Sequence, residues 1–195
     1  MQNEKIRVLL SPIYVGLFNL ISNNYRDEAI VRKEKYILVK GGAPVMLLAH
    51  MDTVHKTPVK HICESSASNI IMSPEGIGGY DRYGVYALIK VHEQSQVTPW
   101  LLFTCDEEID GVGASAFTAD YHNNKLSKEL DSLKFLIEID RTSSKDTVYS
   151  ELLQRQSSRK LRNMNILSMC GVTRAIGVTG IIGIQIIGKI SEHQL

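Results

Sequence analysis

Apolar residues recur along this chain in two spacings, and the spacings set the elements it is expected to form. Ser11-Pro12 reads as a helix cap with proline at the first helical position. Ile13, Leu17, Leu20 and Ile21 follow at helical spacing, which predicts a first helix to about Tyr25. Residues 36–40 and 45–49 read as strands joined by a turn at Gly41-Gly42-Ala43-Pro44, and residues 69–73 as a further short strand. After Gly76, Gly78 and Gly79 the pattern turns helical from Tyr83 to about Gln94. Residues 100–105 form an unbroken apolar run of buried-strand length, 112–120 a helix, and 133–139 an apolar strand ending in Asp140. Residues 148–163 are expected to be helical and the Gly/Ile tail 178–190 a strand. This alternation predicts an α/β fold with a mostly parallel central sheet flanked by helices. No repeat or linker interrupts it, so residues 1–195 are expected to form one domain.

Composition narrows the classes. At 44% hydrophobic residues, the chain has enough apolar surface for a core and does not read as disordered. Lys plus Arg is 22 and Asp plus Glu 21, so charge gives no reason to expect nucleic acid or an anionic membrane as partner. Cys63, Cys105 and Cys170 are far apart and odd in number, and no CxxC occurs, so neither a disulfide framework nor a thiolate zinc site is suggested and a reduced, cytoplasmic setting fits. The apolar stretch 8–21 carries Pro12 and Asn19 and lacks a cleavage signature. Stretch 176–190 is too short to span a bilayer. Both read as core segments.

The chemistry lies where apolar segments stop. The run at 100–105 passes abruptly into Asp106, Glu107, Glu108 and Asp110. Alone, that is an ordinary solvated loop. Three other segments, however, end in His50 with Asp52, in Asp81 and in Asp140, and His193 stands near the C-terminus. Strand ends of a parallel sheet converge on one crevice. Imidazoles and carboxylates gathered there suit zinc, and also cobalt or manganese. A carboxylate shared by two ions makes a two-metal hydrolytic site, with a spare carboxylate as general base.

In order, His50-Met51-Asp52, Gly79-Tyr80-Asp81-Arg82-Tyr83-Gly84, Asp106-Glu107-Glu108 with Gly111, Ile137-Glu138-Ile139-Asp140 and Glu192-His193 resemble the metal-site motifs of the co-catalytic (dinuclear) zinc exopeptidase superfamily. That group includes aminopeptidases, dipeptidases, carboxypeptidases and deacylases. The resemblance runs from about Val45 to Asp140 and is slight beyond. It implies the zinc-exopeptidase-like (phosphorylase/hydrolase-like) core and a metal-dependent hydrolase of peptide or other amide bonds, acting on a small peptide or N-acyl amino acid. It further implies two divalent ions: His50 and Asp140 on one, Glu108 and His193 on the other, Asp81 bridging. Asp52 would orient His50, and Glu107 would activate the bridging water and protonate the leaving amine.

The chain departs from that pattern in two places. Arg82 follows the bridging Asp81 where the family often has an acidic residue, and the stretch between Asp140 and His193 is too short for the lid domain of about a hundred residues that many members insert. A catalytically impaired, metal-binding member of the same fold is the alternative, and a nucleotide-binding α/β domain a second. For the second, Gly111-Val112-Gly113-Ala114-Ser115-Ala116 is a loose GxGxxA, but carboxylates directly before it would repel a pyrophosphate. His55, His61, His92 and His122 are expected to be ordinary surface histidines, and Cys105 an inert buried thiol. Substrate choice is expected to lie in loops such as 57–68 and 121–132; the oligomeric state has no signature.

Overall fold

A computed structural model describes Leu9 and residues 14–65, 70–141, 147–150 and 183–187. Its centre is a sheet of seven strands in the order β1-β2-β6-β3-β7-β9-β8. These are β1 (Ala29–Arg32), β2 (Tyr36–Val39), β3 (Val45–His50), β6 (Trp100–Thr104), β7 (Phe135–Arg141), β8 (Thr147–Ser150) and β9 (Gly183–Ile187). The short strands β4 (Cys63–Ser65) and β5 (Ile70–Met72) pair separately as an antiparallel ribbon. Three α-helices are described: α1 (Tyr14–Asn24), α2 (Gly79–Gln94) and α3 (Val112–His122).

Strands β2, β3 and β6 are apolar up to the polar residues His50 and Thr104 that end β3 and β6, because the sheet is covered on both faces. Ile37, Val39, Leu47, Ala49, Leu101 and Phe103 face one layer with Leu17, Phe18 and Ile21 of α1 and Val85 and Leu88 of α2. Tyr36, Leu38, Met46, Leu48, Trp100 and Leu102 face the other, against Ala114 and Phe117 of α3 and Leu130 of a 3-10 turn (Lys128–Ser132). The apolar N-terminal stretch thus supplies core through Leu17, Phe18 and Ile21. No helix among the described residues is long and apolar enough to cross a membrane.

The fold is α/β, but the sheet is mixed rather than mostly parallel. β3 runs parallel to both β6 and β7, and β8 to β9, while β1–β2, β2–β6 and β7–β9 are antiparallel. The strands flanking the Gly41–Pro44 turn are not neighbours, because β6 lies between them. Strand β1 gave no sequence signal, since three of its four residues are exposed. The helix expected from Val148 begins instead as strand β8; the remainder of 148–163 lies outside the described residues.

Helix α2 lies against β3 and β7. Its start is earlier than the apolar pattern suggested, because its first turn carries Asp81 and Arg82 rather than apolar residues. Gly84 sets the depth of this packing: a Cβ there would strike the Ile139 carbonyl, and both partners are backbone within regular elements. Gly84→Ala is therefore expected to cost about 2 kcal/mol of stability, read from chemical denaturation. An unchanged midpoint would show that helix and strand can move apart freely.

Candidate metal centre

His50 is the last residue of β3, and alternation puts it on the same sheet face as Met46 and Leu48. In the adjacent parallel strand Leu48 pairs with Glu138, so His50 and Asp140 both lie two residues further along. Asp81 reaches the same point from the first turn of α2. The result is a compact group. His50 Nε2 lies 3.3 Å from Asp140 Oδ1 and 3.7 Å from Asp81 Oδ1. One ligand atom from each of His50, Asp81 and Asp140 falls within 4.8 Å of the others. His50 is 2% and Asp81 1% exposed.

Asp52, just past the strand, stands behind the imidazole. Its Oδ1 is 3.5 Å from His50 Nδ1, and its Oδ2 accepts the Glu108 backbone N–H at 3.0 Å. Burial favours a proton on Asp52, but His50 and the backbone N–H groups of Glu107 and Glu108 outweigh it and hold the carboxyl below its usual range. For His50 burial works against the charged ring, yet Asp140, Asp52 and Asp81 together hold its pKa well above the ordinary value. Asp81 is pushed up to about 7, by burial first and then by Asp140, Glu108 and Asp52, against the opposing pull of His50.

The acidic run forms a tight turn between β6 and α3. Asp106 and Asp110 sit at φ 55° and 59°, a left-handed conformation that aspartate tolerates better than most residues. Backbone N–H groups of Val112 and Gly113 close the turn on the carbonyls of Asp106 (3.1 Å) and Cys105 (2.9 Å). Glu107 is half-buried there and Glu108 is exposed. Burial raises the pKa of Glu107, helped by Asp140, Glu108 and Asp52 and opposed by His50.

The donor set fits a divalent cation. One imidazole nitrogen and two carboxylates are a common zinc, cobalt or manganese combination. Asp81 Oδ1, buried, has no hydrogen-bond partner, and neither has His50 Nδ1 or Asp52 Oδ1. A cation between His50, Asp81 and Asp140 would give the Asp81 oxygen a partner and neutralise charge that otherwise favours protonation.

Of the residues expected to form the site, the structure brings together His50, Asp81 and Asp140, with Asp52 against His50 and Glu107 within electrostatic reach. Glu108 approaches through its backbone, and its side chain is not part of the converging group. His193 lies outside the described residues.

Three features had no role assigned from sequence. Glu138, 3% exposed on β7, is pushed up to about 8, by burial first and then by Asp140 and Glu107. A carboxylate at an inward position of an apolar strand was its only signal. Arg82 is buried, and its guanidinium donates to the Leu9 carbonyl at 3.1 Å. Burial lowers its pKa against the charges of Asp81 and Asp52. Asp120, buried near the end of α3, accepts from Tyr36 (2.9 Å) and pairs with Arg32 (2.8 Å) and Lys125 (3.1 Å), tying the β1 edge to the helix. His92 does not simply face solvent: its ring meets Tyr25 edge-on at 5.4 Å, and its buried Nε2 has no partner. Cys105 is buried, and that burial, followed by the nearby Asp52 and Asp106, pushes its thiol up to about 12, so it is inert as a nucleophile at neutral pH. No protein-family model matches the chain, and no curated protein matches it.

Proposed function

We propose that this chain is a metal-dependent hydrolase of peptide or other amide bonds, of the dinuclear zinc exopeptidase kind. The supporting observation is the buried group of His50, Asp81 and Asp140, already within ligand distance of one another, with Asp52 behind the imidazole. In this reading His50, Asp81 and Asp140 would hold one divalent ion, and Asp81, Glu108 and His193 would be the residues to hold a second. Bound there, the ions supply Lewis acidity for a carbonyl substrate. Glu107, raised in pKa by its setting, takes the proton of the attacking water and delivers it to the departing amine. Asp52 holds the His50 ring in one orientation, as a carboxylate behind a ligating histidine does. The substrate is a small peptide or N-acyl amino acid. The free thiols Cys63 and Cys105 suit a reduced, cytoplasmic setting.

Metal analysis of the purified chain, before and after reconstitution with zinc, cobalt or manganese, tests this reading. Bound metal, with hydrolysis of at least one member of a dipeptide and N-acyl amino-acid panel, is the expected result. No bound metal after reconstitution would end it. The exposed Glu108 side chain favours a second reading, a metal-binding protein of this fold without turnover. Metal retained with no hydrolysis across the panel would select that one.

A further inference from the structure

Gly76 and Gly78, just ahead of α2, lie against the turn that follows β3. Their φ angles are 83° and 52°, a left-handed backbone that other residues disfavour. Neither has room for a side chain. A Cβ on Gly78 would run into Cγ2 and Cβ of Thr53, and one on Gly76 into the imidazole of His55. Thr53 and His55 belong to a single turn: the Thr53 hydroxyl donates to the His55 carbonyl at 3.3 Å, and its oxygen accepts the His55 backbone N–H at 3.2 Å. Further along, His61 meets Glu75 through its backbone N–H (3.3 Å) and its ring Nδ1 (2.5 Å). The segment leaving β3 is thus seated on the segment entering α2.

Both segments carry the metal centre. Thr53 directly follows Asp52, which stands behind His50. Gly78 is the N-cap of α2, where Ser, Thr, Asp or Asn would ordinarily offer a capping oxygen, and no side chain caps this helix. The Gly78 carbonyl accepts the Arg82 N–H at 3.1 Å, and Asp81 stands inside the turn which that bond closes. We propose that Thr53 is a positioning residue of the metal centre: seated on Gly78, it sets where the first turn of α2 begins and so holds Asp81 at ligand distance from His50. This rests on the reading of His50, Asp81 and Asp140 as a metal site, to which Thr53 adds no ligand. Gly84 sets how near the helix lies to β7, whereas the Thr53 contact acts at the end that carries Asp81. Ligand constellations must be held to within about 0.5 Å, so a shift of the helix start is felt first in metal affinity.

Titration of the metal-free full chain with Zn²⁺ and Co²⁺ tests the inference without a substrate. Calorimetry reads affinity, and the visible absorption of bound Co²⁺ reads ligand geometry. Gly78→Asn puts a side chain under Thr53 while tolerating the left-handed backbone. It is expected to bind both ions at least about tenfold more weakly and to change the Co²⁺ spectrum, with the circular dichroism of the wild type. Gly78→Asn combined with Thr53→Gly, which vacates the other side of the contact, is expected to regain at least about threefold. A contact that only stabilises the fold would lower the melting temperature and leave affinity and spectrum as they were. That result would overturn the inference, and so would a double variant no tighter than the single one. Should Gly78→Asn fail to fold, Thr53→Gly alone decides: Co²⁺ binding about fivefold weaker with an altered spectrum is expected, and unchanged binding and spectrum would overturn the inference. A wild-type chain that binds neither ion would instead overturn the metal-centre reading itself.

Discussion

Replacing Glu107 by Gln is expected to lower turnover by at least about a thousandfold, with metal content unchanged, on any substrate that the wild type cleaves. The amide keeps the shape of the side chain but cannot take a proton, and loss of a general base that also returns its proton to the leaving group removes both transfers. Glu108→Gln is the control, because the two neighbours are proposed to differ in role. Glu107 is half-buried with its pKa raised by burial, whereas Glu108 is exposed and is held to the site through its backbone N–H on Asp52. Glu108→Gln is expected to lose occupancy of the second ion and to keep the first. Elemental analysis of both variants, alongside single-turnover rates, separates the outcomes. If the variants lose metal equally, or Glu107→Gln keeps its activity, the division of labour between them is wrong.

That division could be suspected from the sequence, but its physical basis could not. Four acidic residues after an apolar strand announce a site only when other strand ends bring ligands to the same edge. His50 and Asp140 were legible because strand alternation is local: each ends an apolar run, and parallel pairing of β3 with β7 places them side by side. Asp81 was legible as a carboxylate at a helix start after glycines, although the role of Gly84 in bringing that helix close appears only once the Ile139 carbonyl lies across from it. What sequence could not carry was order across the sheet. Residues 36–40 and 45–49 looked like neighbours because a short turn joins them, but β6, from much later in the chain, separates them. Edge strand β1 escaped notice because Ile30, Val31 and Arg32 are exposed, so no buried face imposes an alternating pattern. Arg82 and Glu138 were visible as letters, yet their importance comes from burial among groups distant in sequence.

The metal-free protein is expected to be more stable near pH 5 than near pH 8.5, with the metal-loaded protein showing no such loss. Four groups at this edge bind protons more tightly in the folded chain than in the unfolded one. Burial and neighbouring carboxylates raise Asp81 to about 7 and Glu138 to about 8; Glu107 is raised as well. His50 is raised because its carboxylates outweigh its burial. A group raised in this way contributes stability that is fully present below its unfolded pKa and is lost as pH climbs through its folded value. The window therefore opens near pH 4, where unfolded carboxylates titrate, and extends to about pH 8 for Glu138, with His50 adding to it above its ordinary value. Asp52 has the opposite sign, but its stabilisation is lost only as pH falls through its lowered pKa, below this window. Asp81 alone corresponds to at most about 4 kcal/mol across its shift. Bound cations replace the protons, so metal stabilisation should grow with pH over the same interval. Asp81→Asn separates the two effects. Without the buried charge, the metal-free variant is expected to melt roughly 5–10 °C above wild type at pH 8, and added Zn²⁺ should no longer raise its midpoint. Equal melting of metal-free wild type at pH 5 and pH 8.5 would mean that the carboxylates are not confined as described. A metal response surviving in Asp81→Asn would remove Asp81 from the ligand set, and with it the one carboxylate that the two ions are proposed to share.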